Sequence, residues 1–367
     1  MSTAGPLQGA QAPLGGSDLH AVKERGNQRT RIIRRPVHGV LLLDKPLGWS
    51  SNDALQKVKW LLRAEKAGHT GTLDPLATGV LPLCFGAATK FSQMQLDADK
   101  GYEATALLGI KTSTGDAEGK VIAERPVHVD AADVARVVPR FTGLILQTPP
   151  MHSALKKDGK ALYEYARAGI EVEREARSVT IHMLNVALAP ANADGIAIKM
   201  VVKCSKGTYI RTLGEDIGEA LGCGAHLTGL RRTATGGFTQ AQCVTLEALE
   251  AMTEDERLAL LLPVDALLER HTAIALDSEN TARFLNGMRR RGSWPDEKLV
   301  SVYSTEPHAL LGTAQCEAGE LIPGRLLSPL EIAQSQTQQA TGSQKPAGAP
   351  PASGTTTDSR EKVNHEQ

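Results

Sequence analysis

The 367-residue sequence is poor in aromatic side chains, at 4% Phe, Trp and Tyr. It also lacks any apolar run of the roughly 18 to 20 residues that a membrane-spanning helix requires. The longest clean runs are short pieces such as Val40 to Leu43, so no membrane association is expected. Cysteine is scarce too: Cys84, Cys204, Cys223, Cys243 and Cys316 are odd in number and form no CxxC pair. That argues against a disulfide framework and against a zinc site, and the five read as reduced, mostly buried fillers. Residues 1 to 16 carry no basic stretch followed by an apolar one, so no secretory signal is expected and the cytoplasm is the predicted compartment. No internal repeat of fixed period is present, which excludes solenoids and propellers.

Charge of one sign is not in excess either, with 41 basic and 41 acidic side chains. A total of zero still hides distribution. Lys23, Arg25, Arg29, Arg31, Arg34 and Arg35 crowd one segment with only Glu24 opposing them, and Arg289, Arg290 and Arg291 form a second cluster. The stretch from Glu247 to Glu269 is strongly acidic. Such runs are commonly solvated faces, but two basic clusters leave a polyanionic partner open.

What is present is ordinary globular composition, 41% apolar and 22% charged, in a chain long enough for more than one domain. Residues 1–30 and 331–367 are rich in Gly, Ala, Gln, Ser, Thr and Pro and are predicted to be disordered tails. A main body is expected over 31–270 and a small second domain over 272–330, joined by a helical connection across Thr245 to Leu268. Strands are predicted at His38–Leu43, Tyr102–Ile110, Val179–Val186 and Ile196–Cys204, the last two pairing as a hairpin across Asn192 to Gly195. Ser50 or Ser51 can cap a helix carrying Leu55, Val58 and Leu62, closed by Gly68, and Ile210–Leu221 reads as a helix ending at Gly222. Clean strand-helix-strand repeats are missing, so the predicted class is α+β with a mixed, largely antiparallel sheet.

Three glycines and two prolines make Gly68 to Pro82 a shaped loop. It can hold the carboxylate of Asp74 in place, with Pro75 restricting the backbone, although an ordinary turn aspartate before proline fits the same residues. The GxxxxGK[ST] spacing of a phosphate loop is absent. Lys206 to Thr212 follows a strand and opens a helix, which places Tyr209 and Arg211 at a sheet edge where the arginine can pair with a carboxylate. Tyr102 is either a core aromatic or a platform for a base. Thr114 to Gly119, with Asp116 and Glu118, fails the EF-hand spacing and reads as a turn. His152, His182 and His226 show no metal-ligand spacing and read as structural. Gly222-Cys223-Gly224 is a lone GxG without weight.

Taken in order, Gly39 to Pro46, Gly48 to Asn52, the Gly68–Pro82 loop, Lys100 to Ala104, Thr112 to Asp116, Pro149-Pro150 with Ser153 to Lys156, Tyr163-Glu164, and Lys206 to Arg211 resemble the TruB family of tRNA pseudouridine synthases. The resemblance runs from about His38 to Gly237. It implies that Asp74 is the catalytic aspartate, the nucleophile that lets uracil detach from C1′, rotate and rejoin through C5 at tRNA position 55 in the T-loop. It implies that Tyr102 packs on the uracil, Arg211 pairs with Asp74, Tyr209 and Leu230 line the pocket, and His69 contacts the flipped-out RNA. Lys156, Lys157 and Lys160 would meet phosphates from a thumb-like insertion at about 148–178. A PUA-like domain over 272–330 would bring Arg289, Arg290 and Arg291 toward the acceptor arm. The expected partner is tRNA alone, with no cofactor, metal, membrane or guide RNA, and a monomer is expected. The competing readings are a synthase acting on another RNA or under a guide RNA, and an RNA-binding module or tRNA-folding chaperone.

Overall fold

The computed structural model describes residues 33–343 apart from 191, 192 and 194. The expected disordered segment 1–30, the part 344–367 of the one expected over 331–367, most of the first basic cluster and two residues of the expected hairpin turn lie outside the described residues. The main body is built on a ten-stranded mixed sheet. In chain order its elements are β1 (Gly39–Lys45), α1 (Ser51–Leu61), β2 (Ala67–His69), β3 (Ala77–Phe85), β4 (Lys100–Leu108), β5 (Gly143–Gln147), β6 (Arg177–Leu188), β7 (Ala197–Cys204), α2 (Ile210–Ala220), β8 (Ala225–Thr235) and β9 (Val244–Thr245). A two-residue strand, Phe238–Thr239, pairs with β8 off the main path.

The strand order is β9-β1-β3-β8-β4-β7-β6-β5, with β2 added on β3. Only β8 with β3 and β9 with β1 run parallel. The other pairs are antiparallel, as the sequence pattern predicts. β3 reads as a near-continuous buried run because both of its faces are covered. β7 alternates buried and exposed residues because one face only is packed.

Ser50 caps α1, accepting a hydrogen bond from the Asp53 amide. The helix ends at Leu61, and Gly68, expected to close it, lies instead within β2. Arg63 at φ 51° makes the turn that Gly68 was expected to make. α2 packs close on β8: a Cβ at Gly218 would lie 2.5 Å from Ala225 atoms, so only glycine permits that approach. The expected helical connection resolves into two short helices, Leu246–Ala251 and Glu254–Ala259, followed by a 3-10 turn at Val264–Leu267.

The small domain is a five-stranded sheet made from Ala273–Leu276, Arg290–Arg291, Glu297–Ser304, Ala309–Glu317 and Glu320–Leu326, with a core around Phe284, Val302 and Leu321. The expected disorder from residue 331 is corrected over its first part, because Pro329–Ser343 is a helix. Ser328 and Glu331 close a reciprocal cap at its start. Its Gln338 side chain bonds both the backbone N–H of His38 (3.0 Å) and the His38 carbonyl (2.6 Å). Gln334 meets the His38 ring at 3.0 Å, and Lys90 pairs with Glu331 at 2.6 Å. The polar composition that suggests a tail thus supplies the bonds that dock a helix. All five cysteines are free and four are buried. Among the described residues no helix is long and apolar enough to cross a membrane.

Candidate active site

Asp74 sits in the loop joining β2 to β3. This loop is shorter than the one expected over Gly68 to Pro82, because both ends of that segment pair as strands and leave only 70–76. The N-terminal motif residues prove to be its scaffold. Ser51 at the start of α1 accepts from the Leu73 amide (2.7 Å) and donates to the Leu73 carbonyl (3.0 Å), pinning the residue before Asp74. The amide of Gly48 donates to the Pro75 carbonyl at 2.9 Å, pinning the residue after it. Lys45 is fully buried and its ammonium is spent on carbonyls, those of Pro46 (2.9 Å), Trp49 (2.5 Å) and Pro75 (3.5 Å). Burial lowers its pKa to about 8, against the pull of Asp74. The amide of Ala77 donates to the Asp74 carbonyl at 3.0 Å and closes the turn.

Arg211 enters from the first turn of α2. Its guanidinium reaches Asp74 Oδ2 at 2.9 Å and Asp116 Oδ2 at 3.3 Å, and donates to the carbonyls of Thr114 (3.0 Å) and His152 (2.6 Å). The Arg211 side chain is 6% exposed whereas that of Asp74 is 42% exposed, so the carboxylate opens onto the cavity while its partner is held behind it. Loss of water raises the Asp74 pKa; Arg211 opposes that rise and the Asp116 carboxylate adds to it. The start of α2 is itself fixed: Gln147 on β5 accepts from the Tyr209 amide (3.0 Å) and donates to the Tyr209 carbonyl (3.3 Å).

The cavity above Asp74 measures about 270 Å³ and is walled by Tyr102, Tyr209, Arg211, Leu230 and Arg232. Tyr102 on β4 stands opposite Arg232 on β8, and Leu230 lies beside Ala77 at the end of the Asp74 loop. The two tyrosines and Leu230 give flat apolar surface, and the Asp74–Arg211 pair gives one orienting charged group. That combination suits a planar polar ring with a reacting carbon held above the carboxylate.

The structure therefore brings together Asp74, Tyr102, Tyr209, Arg211 and Leu230. His69 ends β2 at the root of the loop, five positions before Asp74, and does not line the cavity. Its Nδ1 is buried without a partner, and burial together with the Arg232 charge lowers its pKa. Lys156, Lys157 and Lys160 are exposed on a small hairpin within the 148–178 insertion, away from the cavity wall. Arg289 and Arg291 lie in the small domain and share one carboxylate, Glu320, at 3.1 and 3.2 Å; Arg290 is half-buried between them.

Asp116 and Arg232 are the site residues that the sequence reading passed over. Asp116 is 2% exposed and is held by Thr114 Oγ1 (2.5 Å) and the Glu118 amide (3.1 Å) so that its carboxylate faces Arg211. The Thr114-Gly115-Asp116 run was a usable signal, since it belongs to the ordered motif set, but on spacing alone it reads as a turn. Among the described residues no cluster of three or more His, Cys, Asp or Glu side chains could hold a metal ion.

Comparison with known proteins bears on this geometry. Residues 59–210 match the TruB family pseudouridylate synthase N-terminal domain, residues 211–269 the tRNA pseudouridylate synthase B C-terminal domain, and residues 272–327 the C-terminal domain of pseudouridine synthase II TruB. A tRNA pseudouridine synthase B from Verminephrobacter eiseniae is 63% identical over 314 residues, 85% of this chain and 95% of the relative. Another from Ralstonia nicotianae is 59% identical over 310 residues, 83% of this chain and 99% of the relative. Among solved structures, a chain of a Cbf5-Nop10-Gar1 complex superposes with a TM-score of 0.59 at 26% identity, covering 79% of this chain and 84% of that one. With matched domains along most of its length and relatives this close, the chain belongs to the TruB family of pseudouridine synthases.

Proposed function

We propose that this synthase isomerises uridine to pseudouridine at position 55 in the T-loop of tRNA, with Asp74 as the nucleophile. The observation that carries the reading is the partly exposed Asp74 carboxylate, ion-paired to a buried Arg211 at 2.9 Å and facing a cavity walled by Tyr102, Tyr209 and Leu230. The high identity to proteins named tRNA pseudouridine synthase B supports the substrate class. Asp74 allows the C1′–N1 bond to break, the base turns in the cavity, C5 bonds to C1′, and the proton lost from C5 is balanced by one gained at N1. Nothing is oxidised and no water is added, so the side chains around the cavity suffice.

A uridine inside a folded T-loop cannot reach a walled cavity, so it must leave its stack, at a cost of a few kcal/mol that contacts with Tyr102, Tyr209 and Leu230 offset. His69, at the root of the loop, meets the RNA from which the base is withdrawn. Recognition rests on the shape of the T-arm, with Lys156, Lys157 and Lys160 on phosphates and the small domain toward the acceptor arm. The enzyme acts alone, as a monomer and without a guide RNA; for a tRNA substrate the support is the name of relatives covered to 95–99% of their length. The test is pseudouridine formation in an unmodified T-arm hairpin by purified protein with nothing else added. Conversion at the T-loop uridine is expected. Tight binding without conversion would move the function to another RNA or to a folding role.

A further inference from the structure

Arg211 is one of two buried guanidinium groups on the cavity wall, and its charge is answered by Asp74 and Asp116. The other, Arg232, is the largest fully buried side chain among the described residues, at 1% exposure. Among those residues no carboxylate pairs with it. Its hydrogen bonds run to the Val80 carbonyl (Nε, 2.7 Å) and the Gly71 carbonyl (Nη2, 3.3 Å), and it stands opposite Tyr102 on the neighbouring strand. Gly71 and Val80 bracket Asp74 in the chain, so one guanidinium ties together both ends of the nucleophile's loop, beside Tyr102 on the neighbouring strand. Gly79 makes this approach possible: a Cβ there would lie 2.2 Å from the Arg232 carbonyl oxygen. A clamp alone would be served at lower cost by a neutral donor, because an interior charge without a counter-charge is strongly disfavoured. Burial lowers the pKa of His69, Lys100 and Lys45, and the Arg232 charge adds to the fall in each.

We propose that Arg232 is a positioning residue for the isomerisation, holding both ends of the Asp74 loop in one frame. It also turns an unanswered positive charge toward the detached base. The inference rests on the reading of this cavity as a uridine site. When C1′–N1 breaks, the bonding pair leaves with N1 and spreads onto the two ring carbonyl oxygens. The charge is neutralised when C5 has bonded C1′ and the ring has exchanged its C5 proton for one at N1. A cation useful only during that interval raises the rate at saturation and leaves RNA affinity unchanged.

The experiment is single-turnover conversion of an unmodified T-arm hairpin at saturating enzyme, with hairpin Kd measured beside it. Wild type and Asp74→Asn establish the underlying reading, so a wild type that converts nothing removes that reading and this one with it. Given an active wild type, Arg232→Met is expected to be slower by about 100-fold with Kd within about twofold, and Arg232→Lys to fall between. Arg232→Lys keeps the charge but cannot span the Val80 and Gly71 carbonyls, so the step from Met to Lys reads the charge and the step from Lys to wild type reads the frame. Wild-type rates in a folded Arg232→Met protein would overturn the proposal. So would an Arg232→Lys protein that converts at the wild-type rate, and that comparison decides the matter where Arg232→Met does not fold.

Discussion

In the proposed role Asp74 has to be ionised to attack, yet its loss of water on burial raises its pKa. Turnover should therefore fall on the acid side at a pH above the ordinary aspartate value of about 3.9, and the midpoint should drop when Asp116, whose carboxylate adds to the rise, is replaced in Asp116→Asn. A raised folded-state pKa means that folding favours the protonated carboxyl. That contribution to stability is complete below about pH 3.9 and is lost as pH rises through the folded value. At neutral pH, Asp74→Asn is therefore expected to hold or raise Tm while removing activity, which thermal unfolding would check directly; a clear fall in Tm would show the carboxylate to be stabilising instead. The four residues gathered on Asp74 were legible in the sequence because each lies in a short motif that fixes its neighbours in space: Arg211 and Tyr209 open α2, Tyr102 begins β4, and Leu230 borders the loop in β8. Asp116 and Arg232 were not, because a turn carboxylate and one arginine of an Arg-Arg pair acquire their roles only through burial against other strands.

At the scale of elements, the loop bearing Asp74 is held by α1 and β1 rather than by its own sequence. Ser51→Ala removes both hydrogen bonds to Leu73 and leaves a buried amide and carbonyl unpaired, for an expected loss of about 1–3 kcal/mol of stability. Denaturant unfolding measures that loss. Turnover should fall as well, with hairpin affinity retained, and unchanged turnover would detach α1 from the positioning of Asp74. Gly79→Ala should be worse than a loop glycine ordinarily predicts, since φ is +99° and the new Cβ would strike the Arg232 backbone. The helix 329–343 shows where composition misleads. Its Gln- and Thr-rich sequence lacks an apolar stripe, but Ser328, Pro329 and Glu331 spell a helix start, and Gln334 and Gln338 find His38 only in the folded chain. Likewise, Gly68 carries the chemistry of a helix stop, and its place in β2 is set by pairing with Cys84 on β3.

For the whole molecule, a net charge of zero conceals local basic clusters, and the RNA-binding face proposed for the small domain should show itself in salt dependence. Arg289 and Arg291 are both held by Glu320, so in the free protein each is partly neutralised. Replacing Arg289, Arg290 and Arg291 together with glutamine should weaken tRNA binding and flatten the slope of log K against log salt, by up to about one unit for every RNA phosphate that no longer meets a guanidinium. Glu320→Gln should move affinity the other way. An unaltered slope in both proteins would remove the small domain from the interface. The helix clasp at His38 joins that domain to the catalytic sheet through side chains whose partners lie some 300 residues away in sequence. Such pairings are invisible to local pattern, which is why this fastening was not legible in the sequence.

The most direct test of the account separates turnover from affinity at one carboxylate. Asp74→Asn should bind an unmodified T-arm hairpin with a Kd within about twofold of wild type, because the change keeps size and polarity, and should form no pseudouridine in single-turnover conditions where wild type converts the hairpin fully. Pseudouridine formation by Asp74→Asn at a rate comparable to wild type would contradict the account, for the nucleophile would then lie elsewhere.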